Sequence, residues 1–541
     1  MDSIKLFSIA AYLSLTVSAC GGDSGGSEPP PASLSKSEAF RVLNQATFGA
    51  TEAEAQRLID MGTEAWIDDQ LLQPASLQLP HLRSLPRPTD LIDLQPDRVD
   101  IWFRNALSGK DQLRQRVAFA LSEIMVVSQL SNLGNLTYSL ADYYDVLVRH
   151  AFGNYRDLIQ EVTLHPAMGI YLSMLGNEKP DDALNIRPDE NYARELMQLF
   201  SIGLVELNID GSTVIDIQGV PLPTYDQAII EGFAHIYTGW HFAGALSFQQ
   251  ASPNDFNQTA PMQLYPNFHD VGEKLLLNGT TIPAGQTGDE DLAGALDNIF
   301  NHPNVGPFIA IRLIQRLVAS NPSPGYIERV ASVFNDNGLG VRGDLGATVR
   351  AILLDDEARP GLPMDFDGKV KEPLLRLTQL WRAFDAKSAT DRYPFISVFN
   401  IFGQGPLQSP SVFNFFSPFY APPGEIRNSG LVAPELGIAT EYQNTLVTNY
   451  MFYQAFALTS EATDLRPDDV YLNIEDEMAV AGDTDALIDL VAEKLVGGDI
   501  SQTLRGEIAG MVNRFPETEK AFRVGEAIYF ISTSPGFANQ N

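Results

Sequence analysis

Residues 187–203, RPDENYARELMQLFSIG, are the stretch that indicates the fold most directly. As a helix, this stretch places Tyr192, Leu196 and Leu199 on one stripe that would face a hydrophobic core. Gly203 falls on the same stripe and is placed to end the helix. The stretch therefore predicts a short helix that packs one face into the core of a helix-rich domain.

Both flanks of this helix carry polar side chains at helical spacing. Glu190 and Arg194 are four residues apart on one flank, and such pairs form on helix surfaces, with the Glu before the Arg as the helix dipole prefers. Asn191 and Glu195 are four apart on the other flank. One explanation is a structural salt bridge with an amide contact. The other is a site in which Glu195 is a general base or metal ligand and Arg194 holds an anion.

The first residues of the chain indicate export. Residues 1–19 carry one lysine and an apolar run too short to span a membrane, and they end in Val-Ser-Ala before Cys20. This pattern resembles a bacterial lipobox, which predicts a signal peptide over residues 1–19 and lipidation of Cys20. Gly21, and not an aspartate, follows, which favours the outer membrane, facing the periplasm or the cell surface. Residues 20–36 then form the lipidated end and a flexible tether rich in Gly, Ser and Pro.

The composition is that of a folded, acidic protein. Of 541 residues, 44% are hydrophobic, and 36 Lys and Arg stand against 68 Asp and Glu. The formal net charge of −32 makes nucleic acid and anionic lipid poor partners, because both would be repelled. The same charge favours solubility, or affinity for a cation or a basic partner. Cys20 is the only cysteine, so lipidation leaves no thiol for a disulfide or a thiolate metal site.

Helical periodicity recurs along the rest of the chain and predicts a mainly α fold. We expect one large multi-helix globular domain over residues 37–541. One clear helix signal has Thr51 as N-cap, Glu54 at the capping-box position and Gly62 as the stop. Residues 75–97 are rich in Pro and Leu without periodicity, which predicts an extended segment that wraps over the surface.

A few short β-hairpins are expected in the 205–290 region. Asp210-Gly211 and Asn278-Gly279 are two-residue turn signals between apolar segments. These hairpins would interrupt a body that is otherwise helical.

Five motifs, in order along the chain, resemble a known bacterial family. They read HPAMGIYLSMLGN, RPDENYARELMQLFSIG, YDQAIIEGFAHIYTGW, FHDVGEK and QSPSVFNFFSPFYAPPG. They are similar to the family known as domain of unknown function 1800, over about residues 39–450, which leaves residues 451–541 as a C-terminal helical extension. The family usually reads Pro-Asn-Glu-Asn where this chain has an aspartate at position 189. An aspartate caps a helix as well as an asparagine, so we expect little change.

The resemblance implies a fold and site positions but no reaction, because the family has no settled biochemical activity. Its members are often exported. They resemble products encoded beside a second uncharacterised, sulfatase-like exported family, which implies an exported protein of that family as a partner.

His165 and Asp226 are two further site candidates. His165 precedes Pro166, which places its imidazole at a turn, where it would act as a ligand, a base or a helix cap. Asp226 lies in the first turn of a helix expected to begin at Thr224, with Gln227 completing a capping box. That position explains Asp226 without chemistry, and a ligand-binding role is the alternative.

His269, Asp270 and Lys274 lie in an irregular segment, where charged residues between aromatic ones are a better functional signal than on a helix. Asp270 would orient His269 or share a cation with it, or it would lock the loop through a salt bridge to Lys274. Glu231 and His235, four residues apart, would form a ligand pair or a polar pair on the outer face of their helix.

Arg312 and Arg316 are also four residues apart. They would receive an anionic group or neutralise surplus carboxylates. The sequence contains no P-loop, dinucleotide fingerprint, nucleophile elbow or HExxH motif.

Two functions stay open. The first is an envelope enzyme, hydrolytic or redox, with the catalytic candidates Glu195, His165, His269 and Asp270 and the ligand-binding candidates Glu190, Asn191, Arg194, Asp226 and Lys274. Oxygen and nitrogen ligands without sulfur suit a divalent metal, so a metal-dependent site is part of this hypothesis. The second is a non-catalytic scaffold or maturation partner for another exported protein, supported by the acidic surface, the tether and the apolar loop 411–420. If the candidate residues converge on one open cleft, the enzyme hypothesis is favoured. If they pair with one another in contacts that exclude water, the scaffold hypothesis is favoured.

Overall fold

Helices make up most of the secondary structure in the computed structural model, which describes residues 34–359 and 368–540. The predicted signal peptide, the lipidation site Cys20 and most of the tether lie outside the described residues. The mainly α prediction is confirmed.

Helices run from one end of the described chain to the other. In the first half they are α1 (Lys36–Ala46), α2 (Glu52–Met61), α3 (Thr63–Leu72), α4 (Leu79–Ser84), α5 (Gln95–Ser108), α6 (Gln112–Ser122), α7 (Thr137–His150), α8 (Tyr155–Leu164), α9 (Pro166–Tyr171), α10 (Asn191–Glu195) and α11 (Gln227–Ile236). In the second half they are α12 (Gly288–Phe300), α13 (Val305–Leu317), α14 (Pro324–Asn335), α15 (Leu345–Leu354), α16 (Pro373–Ala383), α17 (Val398–Phe402), α18 (Glu425–Asn428), α19 (Glu441–Phe456), α20 (Glu475–Val480), α21 (Thr484–Val496), α22 (Gln502–Val512), α23 (Lys520–Ser532) and α24 (Pro535–Ala538).

The predicted start and end of α2 are confirmed. The side chain of Thr51 accepts a hydrogen bond from the backbone N–H of Glu54, and Gly62 ends the helix with a φ of 81°. The carboxylate of Glu54 instead accepts a hydrogen bond from Nε1 of Trp66 at 3.0 Å. The Thr51 cap depends only on nearby residues and forms as predicted. The carboxylate of Glu54, in contrast, is bound by the buried indole of Trp66 in α3.

The prediction of an extended wrap over residues 75–97 is wrong. This region contains α4, the 3-10 helix Leu91–Leu94 and the start of α5. Pro80 and Pro96 lie in the first turns of α4 and α5, where a proline is tolerated because those N–H groups need no helical partner. Helix α4 has 6 residues, and only the first turn of α5 falls within this region, so neither shows a periodicity here.

Short antiparallel strands pair in three places within the described residues. Strands β1 (Trp240–His241) and β2 (Gln263–Leu264) form one pair, β3 (Lys274–Leu275) and β4 (Thr281–Ile282) a second, and β5 (Lys369–Val370) and β6 (Asn539–Gln540) a third. The β3–β4 turn contains Asn278 and Gly279, with φ values of 58° and 69°, which confirms that hairpin. The segment after Gly203 folds back on itself through isolated bridges such as Ile215 to Pro221.

An aromatic cluster ties α1, α5, α6 and α16 into the core. The ring centroids of Phe48 and Trp102 lie 5.3 Å apart, and those of Phe103 and Trp381 lie 5.1 Å apart. Phe119 of α6 packs against Trp102 at 5.8 Å. Such pairs add about 0.5–1.5 kcal/mol each beyond their buried area. They hold α6 in the middle of the body, which matters because the residue that follows α6 is the acidic group of the site described below.

No helix in the part of the chain that the structure describes is long and apolar enough to cross a membrane.

Candidate functional site

A cavity of about 400 Å³ opens between segments that are distant in sequence. Its walls come from residues 123–124 after α6, residues 198–199 and 203–205 after α10, Phe308, Arg312 and Arg316 on α13, and residues 412–414 and 417–419 in the loop after α17. We call this cavity the arginine pocket. The polar helix stretch, the segment around Arg312 and the apolar loop 411–420 therefore meet at one place.

Helix α13 presents one stripe to the pocket. Phe308, Arg312 and Arg316 follow one another at intervals of four residues, so their side chains leave the same face of the helix. Both arginines are buried, with 9% of Arg312 and 4% of Arg316 exposed. The pattern of α13 thus places two guanidinium groups in a wall that is mostly apolar.

Arg312 has no acidic partner within the described residues. Its Nη1 donates a hydrogen bond to Oε1 of Gln315 at 2.7 Å, and its guanidinium carbon lies 4.5 Å from the ring centroid of Phe419 and 5.1 Å from that of Phe308. Burial, together with the nearby charge of Arg316, lowers the pKa of Arg312 to about 9, so the group stays charged at neutral pH. A buried charge with only amide and aromatic contacts is incompletely compensated.

Arg316 faces the acidic residue of the pocket. Its Nε lies 3.5 Å from Oε2 of Glu123, whose Oε1 accepts hydrogen bonds from Gln404 at 3.1 Å and Asn414 at 3.4 Å. The guanidinium carbon of Arg316 lies 4.6 Å from the ring centroid of Phe416. Burial raises the pKa of Glu123, because the attraction of Arg316 offsets only part of the lost hydration. Glu123 therefore keeps its proton to a higher pH than an exposed glutamate does.

A second layer of buried charged side chains contacts the backbone of α13. Arg116 Nη2 and Lys369 Nζ both donate to the carbonyl oxygen of Arg316, at 2.6 and 2.9 Å. Lys369 Nζ also lies 3.3 Å from Glu372 and 3.0 Å from Glu435. Burial acts to raise the pKa of Glu372, but Lys369, Arg116 and Arg316 outweigh burial and lower that pKa.

Basic groups outnumber acidic groups in this region. Within the described residues the basic side chains are Arg312, Arg316, Arg116 and Lys369, and the acidic ones are Glu123, Glu372 and Glu435. The net charge of this region becomes more positive when Glu123 is protonated. An acidic protein with a net charge of −32 thus contains one buried region of the opposite sign.

A π-helical turn, Leu196–Ser201, follows α10 and forms another part of the wall. Gln198 and Leu199 of this turn line the pocket. Tyr192 and Leu196 are buried as expected, and Leu199 packs against the core, partly buried, while it also borders the pocket. Single π-helical turns are frequent at functional sites.

Gly203 ends this segment, as the sequence predicts. Its φ of 76° lies in the left-handed region, and a Cβ at this position would meet the ring of Phe308 at 3.3 Å. The hydroxyl of Thr224 donates to the Gly203 carbonyl at 2.6 Å. Only a glycine allows the turn to approach the aromatic wall this closely.

The mouth of the pocket is apolar. Leu204, Phe413 and Phe419 are exposed, although they border the pocket. The loop that carries the two rings is tied to α13, because Nε2 of Gln315 donates to the carbonyl oxygen of Pro418 at 3.4 Å. The pocket therefore combines a charged floor with an apolar entrance.

The candidate residues on α10 form a surface network. Arg194 Nη2 donates to Oε2 of Glu190 at 2.9 Å, and Gln227 Nε2 donates to Oε1 of the same carboxylate at 2.9 Å. Asn191 is the first residue of α10, and its backbone N–H donates to Oδ1 of Asp189 at 2.8 Å. The ion pair between Glu190 and Arg194 matches the structural alternative, and the amide that contacts Glu190 is that of Gln227.

Glu195 is buried, and its Oε2 has no hydrogen-bond partner within the described residues. Burial raises the pKa of this carboxyl, and the charge of Arg194 offsets part of the effect. The hydroxyl of Tyr225, whose pKa burial raises to about 12, also lacks a partner there. Neither side chain lines the arginine pocket.

His165 caps α9. Its Nδ1 accepts a hydrogen bond from the backbone N–H of Ala167 at 3.1 Å, and its Nε2 lies 3.4 Å from Oδ2 of Asp142. The ring packs edge-on against Tyr143, with centroids 5.3 Å apart. These contacts match the capping alternative for His165.

His269 and Lys274 meet at a buried aspartate that the sequence did not single out. His269 Nε2 and Lys274 Nζ lie 3.0 and 2.6 Å from the same oxygen, Oδ2 of Asp291 in the first turn of α12. His269 Nδ1 also lies 3.0 Å from the carbonyl oxygen of Thr238. The predicted salt bridge between Asp270 and Lys274 is wrong, because folding brings α12 against this loop and supplies a closer carboxylate.

Asp270 pairs with His235 from α11. Their side chains are hydrogen bonded, and the N–H of Gly272 donates to Oδ1 of Asp270 at 2.7 Å. The hydrogen bond with His235 is the main reason that the pKa of Asp270 is lowered to about 2. The proposed pairing of His235 with Glu231 is therefore replaced by a contact across the fold.

Asp226 is the N-cap of α11. Its side chain accepts a hydrogen bond from the N–H of Ile229 at 3.1 Å. The predicted helix start at Thr224 is wrong by two residues, because the Thr224 hydroxyl is used by the carbonyl of Gly203.

The sequence candidates do not converge on the arginine pocket, and most pair with neighbouring side chains or backbone. An open depression of about 500 Å³ elsewhere is lined by Asn177, Arg187 and Asp189, among others. In residues 34–359 and 368–540, no group of three or more His, Asp or Glu side chains is arranged to hold a metal.

The pocket residue that sequence reasoning missed is Glu123. Its apolar neighbours in the chain, such as Leu121 and Ile124, indicate burial, but its partners come from α13 and from the loop after α17, which are distant in sequence. The four-residue spacing of Arg312 and Arg316 and the apolar loop 411–420 were the only signals that pointed here.

Comparison with known proteins identifies a family but no activity. A family model described as "Protein of unknown function (DUF1800)" matches residues 41–539, and the match continues past residue 450 through the C-terminal helices. No curated protein and no solved structure matches the chain. Because the matched region spans nearly the whole sequence, the chain belongs to the DUF1800 family.

Proposed function

We propose that this chain is a lipid-anchored protein of the cell envelope whose arginine pocket binds a small organic anion with an apolar body. The observation that carries the proposal is Arg312, a buried guanidinium without an acidic partner in the described part of the chain. A bound anion would complete its hydrogen bonds and balance its charge.

The chemistry of the floor favours a single carboxylate. One uncompensated guanidinium balances one negative charge, and its planar fork matches the two oxygens of a carboxylate. Gln315 occupies only Nη1 of Arg312, so other N–H groups remain for the ligand. Hydrogen bonds to charged groups contribute about 1.5–3 kcal/mol.

The entrance favours an apolar body on the ligand. Phe413, Phe419 and Leu204 are exposed at the mouth, and a ligand that covered them would remove apolar surface from water. The cavity of about 400 Å³ falls within the usual range of small-molecule pockets.

The acidic surface does not prevent an anion from entering. Exposed charges are screened over about 8 Å at physiological ionic strength, whereas the buried arginines are screened much less. The positive charge of the buried arginines would therefore attract an anionic ligand that has reached the mouth of the pocket.

A catalytic function at this pocket would use Glu123. It is the carboxyl group on the wall, and burial raises its pKa, which is a property of general acids. The candidates His165, His269 and Asp270, by contrast, are engaged in capping or buried pairing. Binding is thus the function that the pocket supports best, and the enzyme hypothesis rests on Glu123.

The binding proposal is tested by calorimetric titration of the purified full chain with benzoate and with benzyl alcohol, which lacks the carboxylate. Benzoate should bind at least about tenfold more tightly, because the alcohol loses one charged contact. Arg312→Met should remove this preference. Equal affinity for benzoate in the wild type and in Arg312→Met would contradict the proposal.

Arg329→Met is the matched control. Arg329 is an exposed arginine that pairs with Asp355 and Glu357 on the surface. This variant should keep the wild-type preference for benzoate. A loss of preference in both variants would indicate a general charge effect and would also count against the pocket.

The envelope location rests on the lipobox pattern at residues 17–20. The test is metabolic labelling with a clickable palmitate, followed by membrane fractionation. The wild type should carry the label and sediment with the outer membrane, and Cys20→Ser should do neither. An unlabelled wild-type chain would refute the lipid anchor.

A second candidate function is a scaffold for an exported protein of the sulfatase-like family. Its support is the segment after the pocket residue Leu204, in which Ile215, Ile217 and Val220 are exposed. Exposed apolar side chains grouped in this way are typical of interaction surfaces. The net charge of −32 favours a partner with a basic face.

The scaffold function is tested by affinity purification from envelope extracts with quantitative mass spectrometry. Ile217→Asp should lose a sulfatase-like protein that the wild type enriches. Leu246→Asp, which changes an equally exposed residue outside this segment, should retain it. No enrichment of such a protein by the wild type would contradict this function.

A further inference from the structure

Two lysines near the start of α16 are equally buried but have different partners. Lys369 and Lys371 are each 5% exposed. Nζ of Lys369 lies 3.3 Å from Glu372 and 3.0 Å from Glu435, so its ammonium is paired with carboxylates. Lys371 has no ion pair with an Asp or Glu in the part of the chain that the structure describes.

The surroundings of Lys371 suit a neutral amine better than an ammonium. Its Nζ donates one hydrogen bond, to Oε1 of Gln379 at 2.8 Å, and lies 5.1 Å from the ring centroid of Phe537. Gln379 is fixed in turn, because its Nε2 donates to the carbonyl of Leu495 at 2.8 Å. Burial, with a contribution from Arg376, lowers the pKa of Lys371 to about 7.

Lys371 is one of the residues that line a small cavity. Its volume is about 150 Å³, and its lining also includes Asn44, Gln540 and the charged residues Arg41 and Asp499. The backbone N–H of Lys371 donates to the carbonyl of Ala538 at 2.8 Å, which holds the lysine against the C-terminal segment. At about 30 Å³ per water molecule, the cavity has room for roughly five waters or a molecule of similar size.

We propose that Lys371 is a nucleophilic amine that forms a reversible imine with a small aldehyde or ketone in this cavity. The lone pair of Nζ adds to the carbonyl carbon, and one amine proton moves to the carbonyl oxygen to give a carbinolamine. Loss of the hydroxyl group with the second amine proton then releases one water and leaves the C=N bond. Addition of water reverses both steps. No oxidant or reductant is needed.

The test is reductive trapping on the wild-type full chain, so no variant has to fold. The protein is treated at pH 7 with a limiting amount of propanal and cyanoborohydride, which reduces the imine to a stable secondary amine. Peptide mapping by mass spectrometry then compares Lys371 with the exposed Lys179 and Lys387. We expect Lys371 to be labelled at least about tenfold faster, because a surface lysine holds only a very small neutral fraction at this pH.

Two internal comparisons make the result decisive. Lys369, equally buried but paired, should stay unlabelled, and equally fast labelling of Lys369 would overturn the proposal by showing general exposure of this region. 4-Phenylbenzaldehyde, which is too large for the cavity, should label the surface lysines but not Lys371. Labelling of Lys371 by propanal no faster than Lys179, or equally by both aldehydes, would overturn the proposed site.

Discussion

The guanidinium carbon of Arg312 lies 4.5 Å from the ring centroid of Phe419, and that ring is 70% exposed. An arginine buried to 9% exposure is thus covered on one side by an aromatic ring that itself faces water. No acidic side chain in the described residues balances the charge. This relationship distinguishes Arg312 from Arg116 of the second layer, which lies 4.0 Å from Glu372.

Arg312→Met should leave the thermal stability unchanged or raise it, because the variant removes a desolvated charge that has no carboxylate partner. Arg116→Met should lower the free energy of unfolding by about 3 kcal/mol or more, because Arg116 is fully buried and lies 4.0 Å from Glu372. Thermal and denaturant unfolding of both variants measure the contrast. A large loss of stability in Arg312→Met would make that residue structural.

Glu123→Gln should be more stable than the wild type at neutral and alkaline pH. Burial raises the pKa of Glu123 above its ordinary value of 4.5, so the folded state holds the proton after the unfolded chain has lost it. The stability of the wild type therefore falls as pH rises from about 4.5 toward the folded pKa. The pKa of Glu372 is lowered, so its contribution to stability is instead lost as pH falls from about 4.5 toward its folded pKa.

The corresponding measurement is the difference in melting temperature between Glu123→Gln and the wild type, taken at pH 5 and at pH 8. The difference should widen toward pH 8. Glu64→Gln, a change at an exposed residue on α3, should show no such widening. A constant difference for Glu123→Gln would show that its proton is not coupled to folding.

Gly203→Ala should cost more stability than Gly219→Ala. Both glycines have a positive φ, so each substitution costs about 1–2 kcal/mol for the backbone alone. At Gly203 the added Cβ also meets the ring of Phe308 at 3.3 Å, whereas nothing lies within 4 Å at Gly219. Gly203→Ala should also weaken benzoate binding, because Phe308 lines the pocket. Equal losses of stability, measured by denaturant unfolding, would argue against a tight contact with Phe308.

Asp291→Ala should lower the free energy of unfolding by about 3–5 kcal/mol, because it leaves Lys274 buried without its carboxylate. The double variant Lys274→Met, Asp291→Leu should lose less, since it removes both charges. The stabilities are measured by denaturant unfolding. The double variant should bind benzoate with wild-type affinity, because neither residue lines the arginine pocket. A double variant that is folded but no longer binds benzoate would assign this buried group a functional role.

Local structure was determined by residues close together in the sequence. The Thr51 cap, the Gly62 and Gly203 ends and the Asn278-Gly279 turn all formed as predicted, because each depends on hydrogen bonds or backbone angles within a few residues. Helix α4 and the start of α5 were missed, because the 6 residues of α4 and the first turn of α5 are too few to show a periodicity.

The helical spacing of Glu190 and Arg194 was enough to predict their ion pair, but the partners of the buried charged side chains were decided by the tertiary structure. The sequence showed that Arg312 and Arg316 share a helix face, but only the fold places Glu123 beside Arg316 and leaves Arg312 without an acidic partner among the described residues. In the same way, His269 and Lys274 share Asp291 because α12 packs against their loop. Helical spacing in the sequence determines which side chains lie on the same face of a helix. The side chains that contact them from distant segments are determined by tertiary packing, because only packing brings those segments together.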